Sequence, residues 1–265
     1  MFTEYILENR TAFISGGTSG INLGIAKGLA KLGARVCVIG RDLTKAQKAA
    51  TEIMAESGVE AIGLSADVRD YEAVEGAMKI ACNRFGELDI VIAGAAGNFF
   101  APAVSISSKG FKTVVDIDLI GTYNVFKAAF DCCKKPGSSF IAITAGQAVN
   151  PMPYQAHVCA AKAGVNALLK TLAMEWGAAG IRVNGISPGP IEGTEGVERL
   201  APTDEEKNAI IKKIALRRFG QAEDVANAAI FLSSSLGQYV TGAIFDIEGG
   251  FQLGDSSMDC LSPTR

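Results

Sequence analysis

The chain has 265 residues, 48% of them hydrophobic, with 25 basic against 28 acidic side chains and a formal net charge of -3. That length suits one large α/β domain or two small ones. No charge block marks a nucleic-acid partner, and no stretch reaches the roughly 20 apolar residues of a membrane span.

The six cysteines, Cys37, Cys82, Cys132, Cys133, Cys159 and Cys260, lie in apolar or helical contexts without metal-ligand spacing. They read as buried thiols of a reducing compartment, with no metal expected. The first ten residues, "MFTEYILENR", carry two acids and no long apolar run, unlike a signal peptide. The final "LSPTR" does not read as a peroxisomal tripeptide, so the expected location is cytoplasmic.

In chain order, short apolar runs alternate with helical patterns. "TAFISGG" reads as a strand and turn, "INLGIAKGLAKLG" as a helix, "ARVCVIG" as a strand, and "LTKAQKAATEIMAESG" as a helix closed by glycine. "EAIGLSADV" is a strand, "YEAVEGAMKIACNRFG" a helix and "LDIVIAGAA" a strand. A helix in 108–132, the strand "SSFIAIT", a helix in 155–179, the strand "IRVNGIS", a helix in 222–235 and the strand "GAIFDIEGG" complete the pattern.

Seven strands alternating with helices predict a single doubly wound α/β domain over 1–265, its sheet mostly parallel with helices on both faces. The one long insert, 187–220, starts at the carboxyl end of a strand, where ligands bind in such sheets. Loops longer than about 15 residues are usually functional, so this one reads as a substrate lid with one or two short helices.

"SGGTSGINLG" follows a strand and opens a helix, the context a phosphate-binding loop requires. Gly16 permits the tight turn and Gly20 lets the backbone approach a pyrophosphate; Thr18, Ser19 and Ile21 lie between and beside them. Asn22 stands where a third glycine is usual. Asn tolerates positive φ and can accept a hydrogen bond, so a modified loop that still binds is expected. The second strand ends in Gly40-Arg41, which offers room and a cation where a carboxylate would repel a 2′-phosphate; this argues for NADPH. Asp67 and Val68, after the third strand, are placed to meet the adenine.

Over 10–251 the chain resembles the short-chain dehydrogenase/reductase family, through "SGGTSG", "ADV", "LDIVIAGAAG", "AAKAGVNALLKTLAMEWGAAGIRVNGISPGPI" and "YVTGAIFDIEGG". The resemblance implies a Rossmann-type seven-stranded sheet, a homotetramer, and hydride transfer involving NAD(P)H. Lys162 matches the family lysine and Asp118 the usual asparagine position, while Val158 and Ala145 replace the tyrosine and serine. Ala93 and Gly94 fall in the cofactor set, as do Pro188, Gly189, Ile191 and Thr194 around the nicotinamide.

The stretches "GAAGNFFAPA", "VVDIDLIGTYNV", "QAHVCAAKAGVNA" and "GPIEGTEGVERL" are similar to peroxisomal-type 2,4-dienoyl-CoA reductases, which also lack that tyrosine. The mitochondrial-type relatives use another tyrosine, whose place here is Gln147. The resemblance implies reduction of a conjugated dienoyl thioester, an acyl-CoA, to a 3-enoyl thioester. Such a reaction needs oxyanion donors and a weak acid. Asp118 and Lys162 are expected to organise a water for protonation, with His157 and Tyr154 as further donor candidates. Asn98, Phe99, Phe100 and Gln147 are expected to line the acyl pocket, and Lys109, Arg199, Lys212, Lys213, Arg217 and Arg218 are cations available to CoA phosphates. Two other readings stay open: an enoyl thioester or other alkene reductase, and a catalytically silent NADPH-binding protein.

Overall fold

The computed structural model describes residues 6–258, so the "LSPTR" reading and part of the amino-terminal one lie outside the described residues, as does Cys260. Seven strands form one sheet in the order β3-β2-β1-β4-β5-β6-β7. They are β1 (Thr11–Ser15), β2 (Arg35–Gly40), β3 (Ala61–Ser65), β4 (Ile90–Ala93), β5 (Ser139–Ile143), β6 (Arg182–Pro188) and β7 (Ile244–Ile247). Every pairing is parallel, where the sequence predicted mostly parallel. Helical crossovers return each strand to the same edge, and this forces the direction.

The helices are α1 (Gly20–Lys31), α2 (Leu43–Ser57), α3 (Tyr71–Phe85), α4 (Ser108–Val115), α5 (Gly121–Cys132), α6 (Ala156–Trp176), α7 (Glu195–Leu200), α8 (Asp204–Lys213) and α9 (Ala222–Ser233). Alternation along the strands splits the core. Ala12, Ile14, Val36, Val38, Ile90 and Ile92 pack with α1, α2 and α9; Phe13, Cys37, Ile39, Val91 and Phe140 pack with α3, α5 and α6. Each fully buried Phe or Ile contributes about 1.5–3 kcal/mol by leaving water.

Most helix starts are capped. Asp42, Asp70, Ser107 and Thr203 each accept a backbone N–H of the first turn, a device worth about 1 kcal/mol. The exceptions include α1 and α6, where Ser19 and Gln155 make no side-chain cap bond. Both helices start at the carboxyl edge of the sheet, the edge at which ligands bind in such folds.

The expected helix over 108–132 is broken. Residues Asp116–Ile120 form a π turn between α4 and α5, and Gly121 there faces Val68 so closely that a Cβ would stand 2.6 Å from its methyl. The insert 187–220, where one or two short helices were expected, carries two, α7 and α8, which pack around Val197, Ile210, Ile211, Ile214, Phe219 and Phe251. Among the described residues no helix is long and apolar enough to cross a membrane.

Candidate active site

The turn after β1 has the backbone that the expected phosphate-binding loop requires. Gly16 and Gly20 have φ of 69° and 55°, in the left-handed region that favours glycine. A Cβ on Gly16 would lie 2.8 Å from the Ala95 backbone, whereas one on Gly20 would meet open space. The uncapped N–H groups of α1 and the positive end of its dipole face that space.

Asn22 acts differently from the sequence expectation. It lies inside α1, outside the positive-φ residues, and its Nδ2 donates to the carbonyls of Gly94 at 2.8 Å and Gly16 at 3.4 Å. The side chain fills the volume a third glycine leaves empty and ties the phosphate turn to the end of β4. Gly94 has to be glycine because Asn22 lies where its Cβ would stand. Ala93 ends β4 and packs in the core.

At Gly40 a Cβ would sit 2.8 Å from the Thr18 methyl, so the turn leaves no volume for a carboxylate there. Arg41 beside it is exposed. Asp67 is engaged by Arg69, whose Nε bonds both carboxylate oxygens at 3.0 and 3.1 Å; this pairing holds the carboxyl below its usual range, against partial desolvation. Val68 is buried and its carbonyl accepts from Asn124 at 2.9 Å.

Across the sheet edge, Lys162 and Asp118 meet. Lys162 Nζ is 3.3 Å from Asp118 Oδ2 and donates to the Ile143 carbonyl at 2.9 Å; their side chains are 7% and 1% exposed. Asp118 Oδ1 accepts the Gly97 N–H at 2.7 Å, while Oδ2 has no hydrogen-bond partner. The π turn supplies this placement, since a wider turn carries Asp118 inward and the Thr122 hydroxyl donates to its carbonyl at 2.6 Å. Gly97 and Ile143 are site residues that sequence reading missed, because they act through the backbone and any residue type could supply those groups.

His157 is buried, with neither ring nitrogen partnered, and stacks on Phe99 with ring centroids 4.1 Å apart. Burial lowers its pKa, with the charge of Asp118 opposing. Tyr154 does not join this group. It precedes α6 with φ of 67° and is 58% exposed, because the left-handed backbone turns the chain into the helix and leaves the ring outside.

Gln147 donates to Gln155 at 3.0 Å, and Gln155 donates to Asn98 at 3.1 Å, joining the loops after β4 and β5. Arg199 on α7 donates to the Asn98 carbonyl at 2.9 Å and also pairs with Glu195. Arg218 pairs with Asp224, and Arg217 bonds the Lys212 carbonyl, so these three cations are engaged within the protein. Phe100 is 39% exposed at the rim.

Gly189 lies against Glu248, with no room for a Cβ. Ile191 is buried; the bridge to Gly220 uses the Glu192 N–H and the Pro190 carbonyl, which leaves the Ile191 N–H outside it. Pro188 ends β6. The Thr194 hydroxyl donates to the Ile191 carbonyl at 2.6 Å and caps α7.

A phosphate-binding turn joined across one sheet edge to a buried lysine defines a dinucleotide-dependent oxidoreductase of the doubly wound class. Residues 16–252 match the family model described as Enoyl-(Acyl carrier protein) reductase. The chain belongs to the short-chain dehydrogenase/reductase family.

It is 40% identical to the peroxisomal 2,4-dienoyl-CoA reductase of Saccharomyces cerevisiae, over 92% of this chain and 85% of that one. Identity to the enzyme of the same name from Arabidopsis thaliana is 39%, over 95% and 87% of the two chains. Among solved structures, a short-chain dehydrogenase from Bacillus anthracis superposes with a TM-score of 0.81 at 34% identity, over 92% of this chain and 97% of that one.

Proposed function

We propose that this chain reduces a 2,4-dienoyl-CoA to a 3-enoyl-CoA with NADPH. The observation that carries the proposal is the buried Asp118–Lys162 pair, in a chain with Val158 and Ala145 at the positions where carbonyl reductases of the family have hydroxyls. The names of the relatives support the same substrate class.

The residues fit the cofactor. Gly16, Ser19 and Gly20 would hold the pyrophosphate, Arg41 the 2′-phosphate, and the Ile191 N–H the carboxamide, with Lys162 at the nicotinamide ribose. When bound, NADPH supplies the hydride for the far end of the diene.

Two tasks remain for the protein: to stabilise negative charge on the thioester oxygen, and to protonate the α carbon. Asp118 Oδ2, unbonded and 3.3 Å from the Lys162 ammonium, is suited to hold a water from which that proton comes. No hydroxyl is required at this step, so the absent tyrosine and serine follow from the chemistry.

Phe99 and His157 form the apolar wall behind the acyl chain. The partly exposed Phe111 on α4, Ile120 in the π turn and Tyr123 on α5 support subunit contacts in a homotetramer, which sedimentation would check. The free thiols of Cys37, Cys82, Cys132, Cys133 and Cys159 support a reducing compartment such as the cytoplasm.

The test follows NADPH oxidation anaerobically with a 2,4-dienoyl-CoA and the matching 2-enoyl-CoA, locating the product double bond by NMR. Turnover of the diene alone, giving the 3-enoyl product, is expected. Turnover of the 2-enoyl substrate would make the protein an enoyl reductase. Binding of NADPH with neither substrate consumed would make it a silent binder.

A further inference from the structure

Dinucleotide turns of this kind carry a third glycine on the helix so that helix and strand can approach closely. In this chain Asn22 takes that place on α1, and a glycine stands on the facing side, at Gly94 after β4. A Cβ on Gly94 would lie 2.4 Å from Asn22 Oδ1 and 2.6 Å from its Nδ2. The close approach is kept by exchanging which partner lacks a side chain, and the exchange puts a carboxamide into the seam between β1 and β4. These strands are the neighbours at which the strand order reverses, the crevice over which a dinucleotide lies.

The orientation of that carboxamide is determined. Nδ2 donates to the carbonyls of Gly94 at 2.8 Å and Gly16 at 3.4 Å, and carbonyls only accept, so exchanging its O and N would set oxygen against oxygen. The same two residues are held from their other side. The Gly16 N–H donates to the Ile39 carbonyl at 2.9 Å, and the Gly94 N–H to the Ser15 carbonyl at 3.2 Å and hydroxyl at 3.1 Å. Both glycine backbones beside the crevice are thus tied at N–H and carbonyl alike. Asn22 Oδ1, by contrast, is buried without a hydrogen-bond partner. An unpaired buried amide oxygen works against folding, and local rules are broken in this way at functional sites.

We propose that Asn22 is a positioning residue for the nicotinamide dinucleotide: it latches the phosphate turn to the end of β4, so that the turn holds its binding shape before the cofactor arrives. Preorganisation of this kind lowers the ordering cost of binding and raises affinity. This rests on the dinucleotide reading of the turn and is independent of the acyl substrate.

The experiment measures NADPH binding to purified full-length protein without acyl substrate, by fluorescence titration and stopped flow, with urea midpoints alongside. The variants are Asn22→Leu, Asn22→Gly, Gly94→Ala, and the double variant that combines Asn22→Gly with Gly94→Ala. Asn22→Leu keeps most of the volume and removes the donor; it should raise the Kd for NADPH by about tenfold, the worth of one or two such bonds. Because the latch acts before binding, that loss should lie in the association rate, with the dissociation rate changed by less than about twofold. A side chain serving only the fold would lower the urea midpoint and leave the association rate alone.

The pair of small substitutions tests the exchange itself. Gly94→Ala alone drives a methyl into the Asn22 amide and should weaken NADPH binding by roughly 10²-fold. In the Asn22→Gly background the same change should cost less than about threefold, a strongly non-additive cycle. Should Gly94→Ala alone fail to fold while the double variant folds, the cycle is non-additive in stability and supports the same coupling.

An unchanged Kd for Asn22→Leu, a loss lying wholly in the dissociation rate, or equal cost of Gly94→Ala in both backgrounds would overturn the proposal while leaving the cofactor reading intact. Wild-type protein that binds neither NADPH nor NADH would remove that reading, and the latch with it.

Discussion

Asp118 divides its carboxylate between two tasks. One oxygen is fixed on the Gly97 N–H at 2.7 Å, and the other faces the Lys162 ammonium at 3.3 Å without a hydrogen bond. An Asn at this position keeps the first contact but can direct an N–H at the ammonium, donor against donor. Asp118→Asn should therefore slow turnover by about 10²-fold or more with NADPH affinity retained. Stopped-flow and equilibrium binding separate the two, and near-normal turnover would remove Asp118 from proton delivery. The lysine and the aspartate were legible because a long motif fixes their places. Asn22 was legible only as an anomaly. Its bond to Gly94 spans 72 residues of chain, and nothing near it in sequence signals that distant partner.

At the scale of elements, the insert 187–220 and the π turn matter most. Strands and most helices were readable because burial on both faces gives continuous apolar runs and the helices carry caps. The π turn was not, since "VVDIDLIGTYNV" keeps a helical pattern and the extra residue in the turn is set by tertiary contacts with Val68, Gly97 and Lys162. The outward placement of Tyr154 was hidden for a similar reason: its left-handed backbone, φ 67°, is not signalled by its residue type. Helix α7 is attached to the loop after β4 through Arg199 and the Asn98 carbonyl, a bond of 2.9 Å. One such partly exposed bond contributes about 0.5–1.5 kcal/mol. Arg199→Ala should raise KM for the acyl substrate by roughly threefold to tenfold with a smaller change in kcat. Steady-state kinetics decide this, and an unchanged KM would mean that acyl binding does not depend on the bond.

For the whole molecule, acid response should depend unusually on one residue, because His157 is the only histidine in the chain. Burial holds its pKa below the ordinary 6.5, with Asp118 opposing. The unfolded chain thus binds a proton that the folded one resists. The stability this group contributes is complete above about pH 6.5 and is lost as pH falls from there towards the depressed folded value. Urea midpoints measured between about pH 7.5 and 5.5 should fall for wild type and fall less for His157→Leu, a comparison that holds even if that variant is weaker throughout. Equal slopes would show that the imidazole protonates freely in the folded state.

The strand order has a consequence for how the molecule is made. β1 and β4 are neighbours at the centre of the sheet, so a growing chain can lay down β3-β2-β1-β4 once residues through Ala93 have emerged. The outer edge of β4 pairs only when Ser139–Ile143 follow, and all four β4 residues are buried in the finished protein. At about 5–20 residues per second this edge stays open for seconds on every ribosome. Biosynthesis, before any catalysis, is therefore the stage at which this protein most needs shielding from strand addition by other chains.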